Sequence, residues 1–163
     1  MSMADLHDPI ATDHPLTQIE QRALRTLAGI MIPANDEYGV PGADDATIFA
    51  DILAAGRPSA QTVSAALREL DELANGRFSD LEASEQRAVA ERFRVASSPL
   101  VGALVALVVP CYYRDDRVMR SLGMEPRPPF PRGYELAEGD WSLLDPVRKR
   151  PKLYRDAPRA RRN

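Results

Sequence analysis

Leu24-Arg-Thr-Leu-Ala-Gly-Ile-Met-Ile-Pro-Ala-Asn-Asp-Glu-Tyr-Gly-Val-Pro-Gly-Ala-Asp-Asp-Ala-Thr-Ile-Phe49 decides the fold. Its first third is amphipathic at helical spacing. Pro33 disfavours helical backbone at Ile32, so that helix stops there. Residues 33–43 contain two prolines and two glycines and read as a loop. Asp44 and Asp45 then stand where carboxylates favour the positive end of a new helix, predicted over residues 44–55. Helix, loop and helix follow one another with no phosphate loop, nucleophile or metal-ligand spacing between them.

Upstream, Thr17-Gln-Ile-Glu20 is a capping-box pattern. Ile19, Ala23, Leu24, Leu27, Ile30 and Met31 follow it at helical spacing. Downstream, Gly56 is read as a stop. A third helix is predicted over 58–75, with Val63, Ala66, Leu67, Leu70, Leu73 and Ala74 inward and Gly76 as its left-handed cap. Phe78 and Leu81 tuck a connector under the core. A fourth helix covers 83–97, with Ala88, Val89, Phe93 and Ala96 inside. The fifth, 100–113, is apolar nearly all round, which predicts the central buried helix, kinked near Pro110. A short sixth helix spans 115–122. No run alternates at period two, so the fold class is all-α: a compact bundle of five to six helices with an extended Pro-rich C-terminal arm. Residues 1–15 read as a flexible lead-in, 16–124 as the helical domain and 125–163 as the arm.

Composition agrees. The chain has 163 residues, 44% hydrophobic and 6% aromatic, with one cysteine and two histidines. A lone Cys111 excludes an internal disulfide and any cysteine-built zinc or iron–sulfur centre within the chain. The longest apolar window, Leu100–Val109, is too short to span a bilayer. The N-terminus shows no basic stretch followed by an apolar run, so the chain as written is expected in the cytoplasm. Charge is uneven: residues 145–163 carry +6 and the remainder −9, for a net −3. Seven of the 14 prolines lie in 126–158, yet this arm also carries Phe130, Tyr134, Trp141, Leu143, Leu144 and Tyr154. A disordered tail usually lacks such apolar anchors. A proline-stiffened arm with spaced aromatics is suited to lying across a surface, its own or another chain's.

The remaining candidates for chemistry are weak. Adjacent carboxylates on a helix, as in Asp44-Asp45 and Asp115-Asp116, point about 100° apart and do not converge on one bond. Both pairs read better as helix caps. Cys111 reads as a buried structural thiol, since no histidine is near it in sequence. His7 and His14 make a poor metal pair. Gly39-Val-Pro-Gly-Ala matches neither phosphate-binding fingerprint, and two acids follow it. The expected catalytic, cofactor-binding and metal residues are therefore none, and the partner-interface candidates are Arg127, Phe130, Tyr134 and Trp141.

The residues also resemble a known family. Leu27 to Ile32 followed by Pro-Ala-Asn-Asp-Glu, then Pro41-Gly-Ala and a helix with Phe49, resembles the opening of the gluconate 2-dehydrogenase subunit 3 family. Phe78-Ser-Asp-Leu is similar to its link into later helices. Tyr112-Tyr-Arg-Asp-Asp-Arg-Val-Met-Arg-Ser-Leu-Gly-Met, then Pro128, Pro131 and Gly133-Tyr134, resembles its closing segment. The resemblance covers roughly residues 20–141. It implies a cofactor-free small subunit that supports folding, stability and sometimes export of a large flavoprotein subunit. That partner, of the glucose–methanol–choline (GMC) oxidoreductase type, would hold FAD and oxidise a sugar or alcohol hydroxyl. Many members of the family carry a twin-arginine export signal and this sequence has none, so periplasmic location would require export with the partner. Two rival readings are a free-standing helical enzyme with its site between helices, and a nucleic-acid-binding adaptor using the basic tail.

Overall fold

The structure, a computed structural model, describes residues 13–96, 98–135 and 138–153. Among these, regular structure is helical, and the only β pairing is an isolated bridge between Asn35 and Val40. The all-α expectation holds. The chain divides into a body, residues 1–127, and a second unit, residues 128–163.

In the body, α1 (Gln18–Met31) starts on the Thr17 capping box: the Thr17 hydroxyl accepts from Glu20 N–H, and the Glu20 carboxylate accepts from Thr17 N–H at 2.8 Å. The Glu20 carboxylate also accepts from the Ser64 hydroxyl on α3, so one side chain caps α1 and ties it to a second helix. Burial pushes the Glu20 carboxyl up, but the hydrogen bonds from Ser64 and Thr17 outweigh it and hold the group below its ordinary value.

Helix α2 (Ala46–Gly56) is capped by Asp45, whose carboxylate accepts from Thr47 N–H at 3.0 Å. Gly56 does not end the helical path. Its backbone stays right-handed, and a 3₁₀ turn, Arg57–Ser59, leads straight into α3 (Ala60–Ala74). Pro58 fits that turn because it needs no backbone donor there. The left-handed residue at the end of α3 is Asn75, φ 52°, not Gly76; the Gly76 N–H instead donates back to Asp71 O. Asparagine tolerates this conformation, so a neighbouring glycine does not locate the cap.

Phe78 is fully buried in the connector that follows, where its N–H donates to the Asp71 carboxylate at 2.8 Å. In α4 (Ala83–Val95), Val89, Ala90 and Phe93 face inward, whereas Ala88 and Ala96 are exposed. Helix α5 (Pro99–Arg114) is not the enclosed centre its composition predicts. It buries Leu104, Val108, Cys111 and Tyr112 and leaves Val105 and Tyr113 exposed, at 43% and 52%. The central position belongs to α3, which packs against α1, α4 and α5. Pro110 lies on an exposed side of α5, and the helix runs on past it to Arg114. Short α6 (Asp116–Ser121) ends at Gly123, φ 72°.

Residues 13–16 of the lead-in are held by specific contacts. His14 Nδ1 accepts from Leu16 N–H at 3.0 Å, and His14 Nε2 donates to Leu53 O at 3.0 Å. Leu16 is buried in the core, and the Arg57 guanidinium donates to Asp13 O at 2.9 Å. The expected flexible stretch of residues 1–15 is therefore corrected at residues 13–15, which His14 ties to α2 through Leu53 O and Arg57 ties to the turn after it through Asp13 O.

Among the described residues of the second unit, no helix precedes a 3₁₀ turn at Trp141–Leu144 that runs into α7 (Asp145–Arg148). The Asp140 carboxylate caps the turn, accepting from Ser142 N–H at 3.0 Å. The arm is thus not extended throughout: its proline density falls after Pro131, and Pro146 suits a first helical turn.

Candidate interaction surface

The loop between α1 and α2 is built around the Asp44 side chain. A Cβ on Gly29 would sit 2.9 Å from Asp44 Cγ. A Cβ on Gly42 would sit 2.4 Å from Asp44 Oδ1 and 2.9 Å from Ala34 N. Two glycines thus make room for one carboxylate. Beside Gly42 the space is taken by the Asp44 carboxylate, and the first donors of α2 are taken by Asp45. Arg25 closes the other side: its Nε–H donates to Asp44 O at 2.9 Å and its guanidinium lies 5.8 Å from the Phe49 ring centre.

The two acid pairs both serve as caps, and the structure adds a link between them. Asp115 accepts from Arg117 N–H at 2.9 Å, capping α6. The Arg117 guanidinium then bridges Asp115, 2.9 Å, and Asp45, 2.7 Å. Arg117 holds both carboxyls below the usual carboxylate range, and the two carboxylates hold the guanidinium charged. This is a structural clasp in which one guanidinium is shared by two carboxylates, and Asp115, which also lines a shallow cleft, is bound to Arg117.

Cys111 is 3% exposed, between two shallow clefts that also share Arg114. Burial pushes the thiol up, and the nearby Asp51 carboxylate adds to that. Arg114 Nη2 donates to Cys111 Sγ at 3.4 Å and to Asp51 Oδ2 at 2.7 Å, opposing the rise without reversing it. The thiolate needed for nucleophilic chemistry is disfavoured. His14 has both ring nitrogens engaged by backbone groups; His7, its partner in the pair read as a poor metal site, lies outside the described residues. Among the described residues no three His, Cys, Asp or Glu side chains converge as a metal site requires. No single helix among them is long and apolar enough to cross a membrane.

The four interface candidates fall at the body's end and in the second unit. Arg127 is half-buried and pairs with Glu125. Phe130 is 85% exposed and Trp141 70% exposed, and Tyr134 is exposed to a lesser degree. Leu143 and Leu153 add further exposed apolar surface. Tyr154 and the last four arginines lie outside the described residues.

Sequence reading missed a groove of about 380 Å³ on the body, between the end of α1, α4 and α5. Leu27, Met31, Phe93 and Leu104 form its floor. One edge, on α5, is Val101, Val105 and Val109; the other, on α4, is Arg87, Glu91 and Arg94. Arg94 and Glu91 are joined by two hydrogen bonds, at 2.8 and 2.6 Å. Arg87 has no carboxylate within ion-pair distance among the described residues. The available signal was the uniform greasiness of α5, which has more apolar surface than one bundle can enclose.

No protein family, curated protein or solved structure matches this chain.

Proposed function

We propose that this chain is a non-catalytic small subunit that binds and stabilises an FAD-dependent, GMC-type sugar or alcohol dehydrogenase. The observation that carries this reading is the exposed apolar surface of the arm, with Phe130 and Trp141 both largely in water. Two such side chains, with exposed Leu143 and Leu153 in the same unit, cost free energy as long as nothing covers them. Interfaces between subunits are enriched in aromatic residues and arginine, the side chains that Arg127, Phe130, Tyr134 and Trp141 supply. The identity of the partner rests on the resemblance of residues 27–49, 78–81, 112–124 and 128–134 to the gluconate 2-dehydrogenase subunit 3 pattern. FAD, the hydride acceptor in such an enzyme, then belongs to the large subunit. The capped acid pairs and the protonated Cys111 supply no competing chemistry.

The test is co-expression with FAD-dependent GMC-type dehydrogenase large subunits, starting with any encoded beside it. A stoichiometric complex with flavin absorbance and dehydrogenase activity is expected. The chain alone should show neither and should aggregate or unfold more readily. A well-behaved monomer that ignores every flavoprotein offered would overturn the proposal.

A further inference from the structure

The groove on the body has one apolar edge and one charged edge, and that asymmetry specifies an occupant. We propose that it receives an amphipathic helix of the partner, about two turns of it, with an acidic side chain placed opposite Arg87. This deepens the reading of the chain as a partner-binding subunit and rests on it.

Length comes first. Val101 to Val109 spans nine residues of α5, about 12 Å over its eight helical rises, which matches two turns of a docked helix. A floor of Leu27, Met31, Phe93 and Leu104 accepts apolar side chains at i, i+3, i+4 and i+7, the pattern of helix-in-groove recognition. Charge comes second. On the α4 edge, Glu91 is already neutralised by Arg94, which leaves Arg87 as the charge that an incoming side chain can satisfy. On the α5 edge, three valines offer no polar partner. The docked helix must therefore be acidic on its α4 flank and apolar on its α5 flank, which fixes its rotation in the groove. A residue with the opposite charge on that flank would face Arg87 across a partly desolvated rim and be rejected.

The test titrates the full chain with two alanine-based peptides of about 16 residues, long enough to form helix. Both carry leucine at i, i+3, i+4 and i+7. One has glutamate along a single flank, the other lysine. The acidic peptide is expected to bind on the order of tenfold more tightly at low salt. Arg87→Glu should reverse the preference, and Val105→Glu should abolish binding of the acidic peptide. Both substitutions are on exposed positions, and unchanged circular dichroism confirms that the fold survives. Equal binding of the two peptides, or no binding of either, overturns the proposal. So does binding of dodecanoate without either peptide, which would make the groove a small-molecule site. A dimer that dissociates on Val105→Glu would assign the groove to a second copy. Tighter binding of both peptides in the Phe130→Ser, Trp141→Ser double variant would assign it to the chain's own arm. A stoichiometric flavoprotein complex that survives both Arg87→Glu and Val105→Glu sinks the groove alone. A strong peptide preference with no flavoprotein complex sinks the flavoprotein assignment alone.

Discussion

Arg117 reaches back across 72 residues of chain to donate to Asp45 at 2.7 Å while also bonding Asp115, so one guanidinium ties the starts of α2 and α6 together. Asp115 is almost out of water, at 9% side-chain exposure, but Arg117 is 43% exposed, so solvent screening limits the value of the clasp.

Replacing Arg117 with methionine should therefore cost about 1 kcal/mol in denaturant titration at neutral pH. The acid limb should change as well. Asp45 and Asp115 titrate lower folded than unfolded, so their contribution is complete above the ordinary carboxylate value, ~4, and is lost as pH falls below it. Arg117→Met should weaken that fall in stability below about pH 4. An acid limb identical to the parent's would show that the clasp contributes nothing.

Gly29 and Gly42 crowd the same carboxylate, but they should respond differently to its removal. The three atoms nearest an alanine Cβ at Gly29 all belong to Asp44, so Asp44→Ala, which removes Cγ and Oδ2 and leaves Cβ at 3.1 Å, should relieve most of its cost, exposing part of a helix-propensity gain of up to about 1 kcal/mol. Alanine at Gly42 also meets Ala34 N at 2.9 Å, a backbone atom that cannot swing away. Its cost, about 1–3 kcal/mol, should persist in the Gly42→Ala, Asp44→Ala pair. A double-mutant cycle with equal coupling for both glycines would contradict this placement of Asp44.

Cys111 should react slowly with iodoacetamide at neutral pH, on the order of tenfold slower than a free thiol, because it is enclosed and its thiol is pushed up. Alkylation at the rate of a small-molecule thiol would place Cys111 at the surface instead.

His14→Ala removes an acceptor for Leu16 N–H and a donor for Leu53 O. A loss of about 1–2 kcal/mol is expected, with faster proteolytic cleavage near Leu16. Unchanged protection there would mean that burial of Leu16 alone holds the segment.

What was legible in the sequence was local. The Thr17 capping box, the break at Pro33 and the caps at Asp45 and Asp115 depend on side chains within a few residues of the groups they satisfy. Phe78 was legible because a large aromatic in a short connector has few alternatives to burial. The misreadings share a cause. Ala88 and Ala96 carry too little apolar area to define a face, and α4 turns Val89, Ala90 and Phe93 inward instead. Helix α5 is greasy on every side, so its composition does not say which side the bundle covers. The bridging role of Arg117 and the groove lined by Arg87 exist only once distant helices meet, and no spacing along the chain encodes them.

A helix with nearly equivalent sides has no amphipathic reason to prefer one roll angle about its long axis. At the start of α5, the Ser98 hydroxyl donates to Glu69 at 3.0 Å; at its end, Arg114 holds Asp51. These two polar tethers act as index pins, selecting one angular setting among several of similar hydrophobic content. Cutting both should leave the rod intact but let it turn, so side-chain order would blur while helicity stayed the same.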